Sequence, residues 1–163
     1  MKDAPPNAYI VIDGRRWRAS DPHIPDAYRQ ELVDELMAAR RAVGLARRAT
    51  DVKAARARVN DAKVALGERG HPWWLPSGPT ERTPRIEAAI RALLRSRRGR
   101  LIYPTDVARI VGGGRWRPLL AEVRARAAEM MPRGDLRILS RGTVVRRSPP
   151  SGVLRYGLVE HEP

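Results

Sequence analysis

The 163-residue sequence contains no cysteine, only three lysines and no long hydrophobic run. Without cysteine, the chain can form neither a disulfide nor a zinc–thiolate site. The longest early apolar run, Tyr9–Ile12, is far shorter than the roughly 20 apolar residues of a membrane-spanning helix. It is also too short for a signal peptide. We therefore expect a cytoplasmic protein that does not enter the membrane.

Catalytic and metal-binding signals are equally sparse. The three histidines, His23, His71 and His161, are far apart and lack the spacing of metal ligands. Asp21 and Asp26 fit turn and helix-cap positions better than an acid–base pair. We therefore expect no enzyme activity, no metal and no cofactor.

Positive charge is the strongest compositional signal. The formal net charge is +14. Residues 1–83 hold 15 basic and 11 acidic side chains, whereas residues 84–163 hold 17 and 7. A short domain with this excess repels itself unless an anionic partner is near. Nucleic acid is the most common such partner, with an acidic protein or an anionic membrane surface as alternatives.

The N-terminal part, residues 1–69, is predicted to be a β-hairpin followed by an antiparallel pair of helices. The stretch "AYIVIDGRRWRA" places Asp13-Gly14 at a tight turn, and Trp17 is expected to bury its ring on the helical pair. Two stripes at helical spacing predict the inner faces of the two helices. They are Tyr28, Leu32, Leu36, Ala39 and Val43 in the first, and Val52, Ala55, Val59, Ala62 and Leu66 in the second.

Residues 70–83 are rich in proline and glycine and are predicted to be a linker. Trp73 and Trp74 lie inside it. Their rings either cap an open end of the helical pair or form a dock for a partner. Val33 and Met37 lie off the main stripe of their helix, which predicts a contact with the C-terminal part or with a second copy in a homodimer.

Residues 84–163 are predicted to form a winged helix-turn-helix domain. A first helix starts at Thr83-Pro84, a second, short helix ends at Gly112, and a third follows the glycines. A hairpin turning at Arg141-Gly142, a basic loop "RRSPPSG" and a closing strand "VLRYGL" complete the order. The fold class is thus mostly α with small β. The predicted buried stripe of the third helix comprises Trp116, Leu120, Val123, Ala127 and Met130.

The glycine-rich stretch "VGGGRWRPLLAEV" does not match a phosphate-binding loop. A P-loop needs Lys and Ser or Thr after its last glycine, and Arg115-Trp116 stands there instead. A dinucleotide-binding loop needs spaced glycines after a strand, whereas these are consecutive and follow a predicted helix. A sharp turn between two helices explains the stretch better.

The residues "IEAAIRALLRSRRGRLIYPTDVARIVGGGRWRPLLAEVRARAAEM" and "GDLRILSRGTVV" resemble an uncharacterised bacterial family, a domain of unknown function with a winged-helix fold. The resemblance covers residues 84–158. The N-terminal "IDGRRWRASDPHIPDAYRQELVDELMAARRAV" and "RVNDAKVALGERGHPWW" resemble short bacterial proteins labelled biopolymer transporter Tol. Neither resemblance implies catalytic residues.

Arginines near the third helix, on the hairpin and at the end of the first helix are the candidate nucleic-acid contacts. They are Arg115, Arg117, Arg124, Arg137, Arg141, Arg146, Arg147, Arg98 and Arg100. Glu122 and Glu129 are expected on the outward face of the third helix, where they oppose deep insertion beside phosphates. The favoured hypothesis is therefore a protein that binds double-stranded DNA mainly through its backbone. The alternative is an adapter that binds an acidic protein, supported by these two glutamates and by Trp73-Trp74.

Overall fold

The computed structural model describes residues 3–147 and 152–159. The predicted basic loop lies partly outside them, at residues 148–151, as does His161. A β-hairpin comes first, with β1 at Tyr9–Ile12 and β2 at Arg15–Arg18. The predicted turn is confirmed, since Asp13 and Gly14 have φ values of 51° and 72°.

Trp17 differs from its prediction. It is 43 % exposed, and its ring lies 5.1 Å from the Lys63 ammonium rather than in the core. The physical reason is that Ile10, Ile12 and Trp17 line an open groove beside α1, so the apolar face of the hairpin is not closed onto the helices.

Two antiparallel helices follow, α1 at Asp26–Leu45 and α2 at Ala49–Ala65. Their predicted stripes face inward, with Leu32, Leu36 and Ala39 of α1 buried, together with alanines of α2. The small side chains of α2 allow the two backbones to approach closely. A buried ion pair joins the helices, because Arg58 donates to both carboxylate oxygens of Glu35 at 2.9 and 3.0 Å.

Helix α3 spans Pro79–Ser96 and begins five residues before the predicted start. Residues 79–83, at the end of the predicted 70–83 stretch, are therefore helical. Pro79 occupies the first helical position, and the Gly78 N–H donates to Glu81 Oε2 at 2.8 Å. Pro84 lies within the helix, where its missing N–H removes only one backbone hydrogen bond near the exposed first turns.

Helix α3 packs against α2 and α1 on one side and against the following helices on the other. Its buried Ile86, Ile90, Leu93 and Leu94 belong to one hydrophobic core that also contains Leu36 of α1. The division into residues 1–69, 70–83 and 84–163 stays a prediction, but the N-terminal helices and the C-terminal elements share apolar contacts through α3.

Helix α4, Pro104–Gly112, ends at the glycines as predicted. Two short 3₁₀ turns, Gly113–Arg115 and Arg117–Leu119, then lead into α5 at Leu120–Met130. The third helix thus starts later than the glycine turn suggested. Gly113 has a φ of +52° and packs against the His23 carbonyl, which brings the segment before α1 onto this turn.

A three-stranded antiparallel sheet closes the chain. It consists of β3 at Arg137–Ser140, β4 at Thr143–Val145 and β5 at Leu154–Gly157, in the order β4-β3-β5. The predicted turn at Arg141-Gly142 is confirmed by φ values of 50° and 82°. Ile102, between α3 and α4, forms an isolated bridge with Tyr156 of β5. Within the described residues, five α-helices, a hairpin and a small sheet confirm the prediction of a mostly α fold with little β.

We predict that Gly113→Ala destabilises the protein by about 2–4 kcal/mol, because an alanine there is strained in φ and crowded by the backbone. Its Cβ would lie 2.8 Å from the His23 carbonyl oxygen and 3.0 Å from the His23 Cβ. Urea unfolding followed by circular dichroism measures the change.

The neighbouring Gly114→Ala is the matched control, since no atom lies within 4 Å of the position that its Cβ would take. It should leave stability unchanged or raise it by up to about 1 kcal/mol. Equal losses in the two variants would contradict the packing of His23 on Gly113.

Candidate nucleic-acid interface

The arginines of α3 and Arg97, directly after it, are held by carboxylates of α3 and of the surrounding elements. Arg95 donates to Asp61 at 2.6 Å, and Arg97 binds both Glu31 and Asp106 at 2.8 and 2.9 Å. Arg91 lies within ion-pair distance of Asp61, Glu87 and Asp135. These arginines hold α3 to its neighbours. The basic cluster at the end of this helix therefore has two parts. Arg95 and Arg97 are ion-paired, whereas Arg98 and Arg100 are exposed and form no ion pair with a described carboxylate.

Glu122 does not face outward as expected. Its side chain is 21 % exposed and is bound by Arg82, with Nη2 2.7 Å and Nε 3.1 Å from Oε2. The earlier start of α3 explains the difference, because it places Arg82 on a helix beside α5. Glu129 is exposed as expected, and Arg126 binds it at 2.7 Å. The exposed residues of α5 are therefore Ala121, Ala125 and Glu129.

Exposed arginines remain on α4, the turn, the sheet and the loops. In the described part of the chain they form no ion pair with a carboxylate. The set comprises Arg98, Arg100, Arg109, Arg115, Arg117, Arg141, Arg146, Arg147 and Arg155. Seven of them are candidate contacts from the sequence, whereas Arg109 and Arg155 are not in that set.

Two of these arginines share one tryptophan. The Arg109 and Arg117 guanidinium carbons lie 5.1 and 4.8 Å from the centroid of the Trp116 ring. The half-buried ring attracts both cations through cation–π interactions. Helix α4 supplies Arg109 and the turn supplies Arg117, so only the folded arrangement reveals the pair. The one sequence signal was the Arg-Trp-Arg order of the turn. Trp116 is accordingly only partly buried, not a full member of the predicted stripe.

The sheet side carries a similar contact, with Arg155 5.4 Å from the centroid of the Tyr103 ring. Two other predicted contacts are placed differently. Arg124 is half-buried and donates to the Gly152 carbonyl at 3.2 Å, and Arg137 is half-buried beside Gly157. Both pack within the sheet side of the domain, and their role in binding stays a prediction.

The predicted partner-binding residues lie in two places. Trp73 and Trp74 are half-buried and pack edge to face, with ring centroids 5.2 Å apart. The Trp73 Nε1–H donates to the Ala19 carbonyl at 3.1 Å. The two rings thus cover the junction beneath the hairpin. Val33 and Met37 instead line a groove between α1 and the hairpin.

Asp106 fixes the position of α4. It is 8 % exposed and accepts three hydrogen bonds, from Tyr28 Oη at 2.8 Å, the Tyr103 N–H at 2.8 Å and Arg97 Nη1 at 2.9 Å. Burial and then the hydrogen bond to Asp106 raise the pKa of Tyr28. The carboxylate therefore connects α1, α3 and α4, and with α4 it positions Arg109.

Within residues 3–147 and 152–159, no group of three or more histidine, aspartate or glutamate side chains has the arrangement of a metal site. No helix in the same ranges is long and apolar enough to cross a membrane.

Residues 83–159 match the model of a family described as a protein of unknown function, DUF3253. They form an uncharacterised domain. The match runs from the first turns of α3 past the end of β5, so it contains Trp116 and all the exposed arginines named above. No curated protein matches the sequence. The expected resemblance to an uncharacterised family is thus confirmed for the C-terminal part, and that of the N-terminal part stays a prediction.

We predict that Asp106→Asn lowers the free energy of unfolding by about 2–4 kcal/mol, since it removes the charge that binds Arg97 in a buried site. Chemical denaturation measures the loss. Asp34→Asn is the matched control, because Asp34 is exposed and, among the described residues, accepts a hydrogen bond only from Gln30. Its effect should stay within about 0.5 kcal/mol. A loss of similar size in both variants would mean that Asp106 does not anchor α4.

Proposed function

We propose that this protein binds double-stranded DNA through residues 83–159, folded as a winged helix-turn-helix, with contacts mainly to phosphates. The element order supports this fold, with α3, the Ile102 bridge, α4, a turn, α5 and an antiparallel sheet in succession. In such a domain α5 approaches the major groove, while the β3–β4 hairpin and the segment after it lie near the backbone.

The observation that carries the proposal is the separation of two classes of arginine. Every carboxylate of residues 84–159 is ion-paired with an arginine. The five are Glu87, Asp106, Glu122, Glu129 and Asp135. The exposed arginines of the turn and the sheet are left with positive charge that these carboxylates do not neutralise. A polyanion satisfies that charge and releases counterions when it binds.

The exposed surface of α5 favours contacts to the backbone over recognition of many bases. Ala121 and Ala125 are small and neutral, so the helix can approach a groove closely. An alanine offers an apolar contact to a thymine methyl group but no hydrogen bond. Arg115 and Arg117 lie on the turn that leads into this helix, and Arg109 of α4 lies beside Arg117 at the Trp116 ring, where guanidiniums reach phosphates.

The adapter hypothesis drew part of its support from acidic side chains on α5. Glu122 lies against Arg82 at 2.7 Å, so this carboxylate is not displayed to a partner. Binding to an acidic protein and binding to DNA differ in their salt dependence, which makes the two hypotheses distinguishable.

We predict that the full-length chain binds a fluorescent random-sequence duplex with a log–log salt slope steeper than about −4, because several phosphates are neutralised together. Fluorescence anisotropy across a series of salt concentrations measures the slope. Absence of binding below about 10 μM at 100 mM salt, weaker than ordinary non-specific binding, would rule out the proposal.

Arg109→Gln/Arg117→Gln should weaken duplex binding at least tenfold and reduce the slope by about 1–2, since each lost phosphate contact removes about 0.9. Arg41→Gln/Arg56→Gln is the charge-matched control, because both arginines are exposed on the N-terminal helices. The control should change affinity by less than about threefold through general electrostatics. Equal weakening by the two pairs would place the contact elsewhere than at Trp116.

A further inference from the structure

A groove of about 700 Å³ lies between the hairpin and α1. The hairpin contributes Ile10, Ile12 and Trp17, and α1 contributes Val33 and Met37. The β1–β2 register places Ile10 directly opposite Trp17, and Ile12 follows two residues after Ile10 on the same face of the strand. The groove therefore has one apolar wall from the hairpin and one from the helix.

These apolar side chains are unusually accessible. Ile10, Ile12 and Trp17 are 48, 52 and 43 % exposed, and Met37 is 39 % exposed. Single exposed apolar residues are ordinary on protein surfaces, but a cluster that lines one concavity marks a binding site.

The groove also contains an excess of positive charge. Lys63 lies at its inner end with a side chain that is 11 % exposed, and its ammonium is 3.9 Å from Glu68. Glu68 also accepts from the Ser20 hydroxyl at 2.8 Å. Arg15 and Arg40 are exposed at the rim, and neither forms an ion pair with a described carboxylate.

The electrostatics of Lys63 favour an anion beside it. Burial lowers the pKa of Lys63, Glu68 opposes that effect, and the neighbouring Arg40 and Arg69 lower the pKa further. Among the described residues, the ammonium has Glu68 as its ion-pair partner at 3.9 Å and the Trp17 ring at 5.1 Å. A second negative charge placed there would offset both the burial and the repulsion from the arginines.

We propose that this groove binds a small amphipathic carboxylate, with its aliphatic or aromatic body between the hairpin and α1 and its carboxylate beside Lys63 and Arg40. The volume lies within the range of about 300–1,000 Å³ that small-molecule sites occupy. Apolar walls with one buried cation match a ligand that has a hydrophobic body and one anionic end. The proposal does not depend on DNA binding.

Isothermal titration calorimetry of the full chain with octanoate, with octylammonium as the ligand of opposite charge, tests the proposal. Octanoate should bind with a dissociation constant below about 1 mM, and octylammonium at least tenfold more weakly, a difference of about 1.4 kcal/mol. Equal binding of the two ligands overturns the proposal. So does an octanoate dissociation constant above about 1 mM, which corresponds to a binding free energy of about −4.1 kcal/mol.

Two pairs of variants locate the site. Lys63→Met should weaken octanoate binding about tenfold through loss of one charge contact, whereas Lys53→Met, on the exposed side of the same helix, should not. Met37→Glu should abolish binding by placing a carboxylate in the apolar wall. Leu45→Glu, at a residue 73 % exposed near the end of the same helix, should not.

Thermal unfolding of each variant shows whether it is folded. If Lys63→Met does not fold, Met37→Glu still tests whether octanoate binds in the groove. Unchanged binding in Met37→Glu overturns the proposal. Light scattering of the wild type and Met37→Glu addresses the other occupant considered for this face, a second copy of the chain. A wild-type dimer that Met37→Glu converts to a monomer also overturns the proposal, since the groove would then be a dimer interface.

Discussion

The position of α3 between two layers of helices is the constraint on which the rest of the structure depends. Its apolar side chains contact the N-terminal helical pair and the C-terminal helices at once, and its arginines reach carboxylates on both sides. Arg95 binds Asp61 of α2, while Arg97 joins Glu31 of α1 to Asp106 of α4. Because a half-buried charge left without its partner is strongly unfavourable, these pairs restrict how the two layers can be arranged.

These internal ion pairs mean that the net charge of the chain does not measure the charge of the candidate interface. Part of the basic composition is internal, since the α3 arginines neutralise carboxylates that would otherwise be near the candidate interface. The charge therefore differs more between the interior and the candidate interface than the residue counts of the sequence suggest. The inner surfaces are balanced ion-pair networks, whereas the turn and the sheet present arginines such as Arg109, Arg117 and Arg141 that no described carboxylate meets.

Local signals predicted the local structure well. The Asp13-Gly14 and Arg141-Gly142 turns depend on φ preferences of two adjacent residues, so the dipeptides were sufficient. The helical stripes were equally readable from their spacing. The failures were non-local. Pro84 suggested a helix start, but it is tolerated inside α3 because Pro79 and Glu81 begin the helix earlier. The prediction of the candidate interface failed for the same reason. Glu122 is bound by an arginine 40 residues away in the sequence and does not face outward. Arg109 becomes a candidate contact only because the fold places it beside Trp116.

The chemistry of α5 constrains how a DNA-binding function would achieve selectivity. A helix face of Ala121 and Ala125 lacks the amide and guanidinium groups that distinguish base pairs by paired hydrogen bonds. Arg109, Arg117 and Arg155 instead lie over the rings of Trp116 and Tyr103, which favour these positions for the cations. Cations that prefer these positions favour duplexes whose phosphates come within their reach. Selectivity would therefore depend on groove width and on the ease of bending, and thus on sequence-dependent shape more than on individual bases.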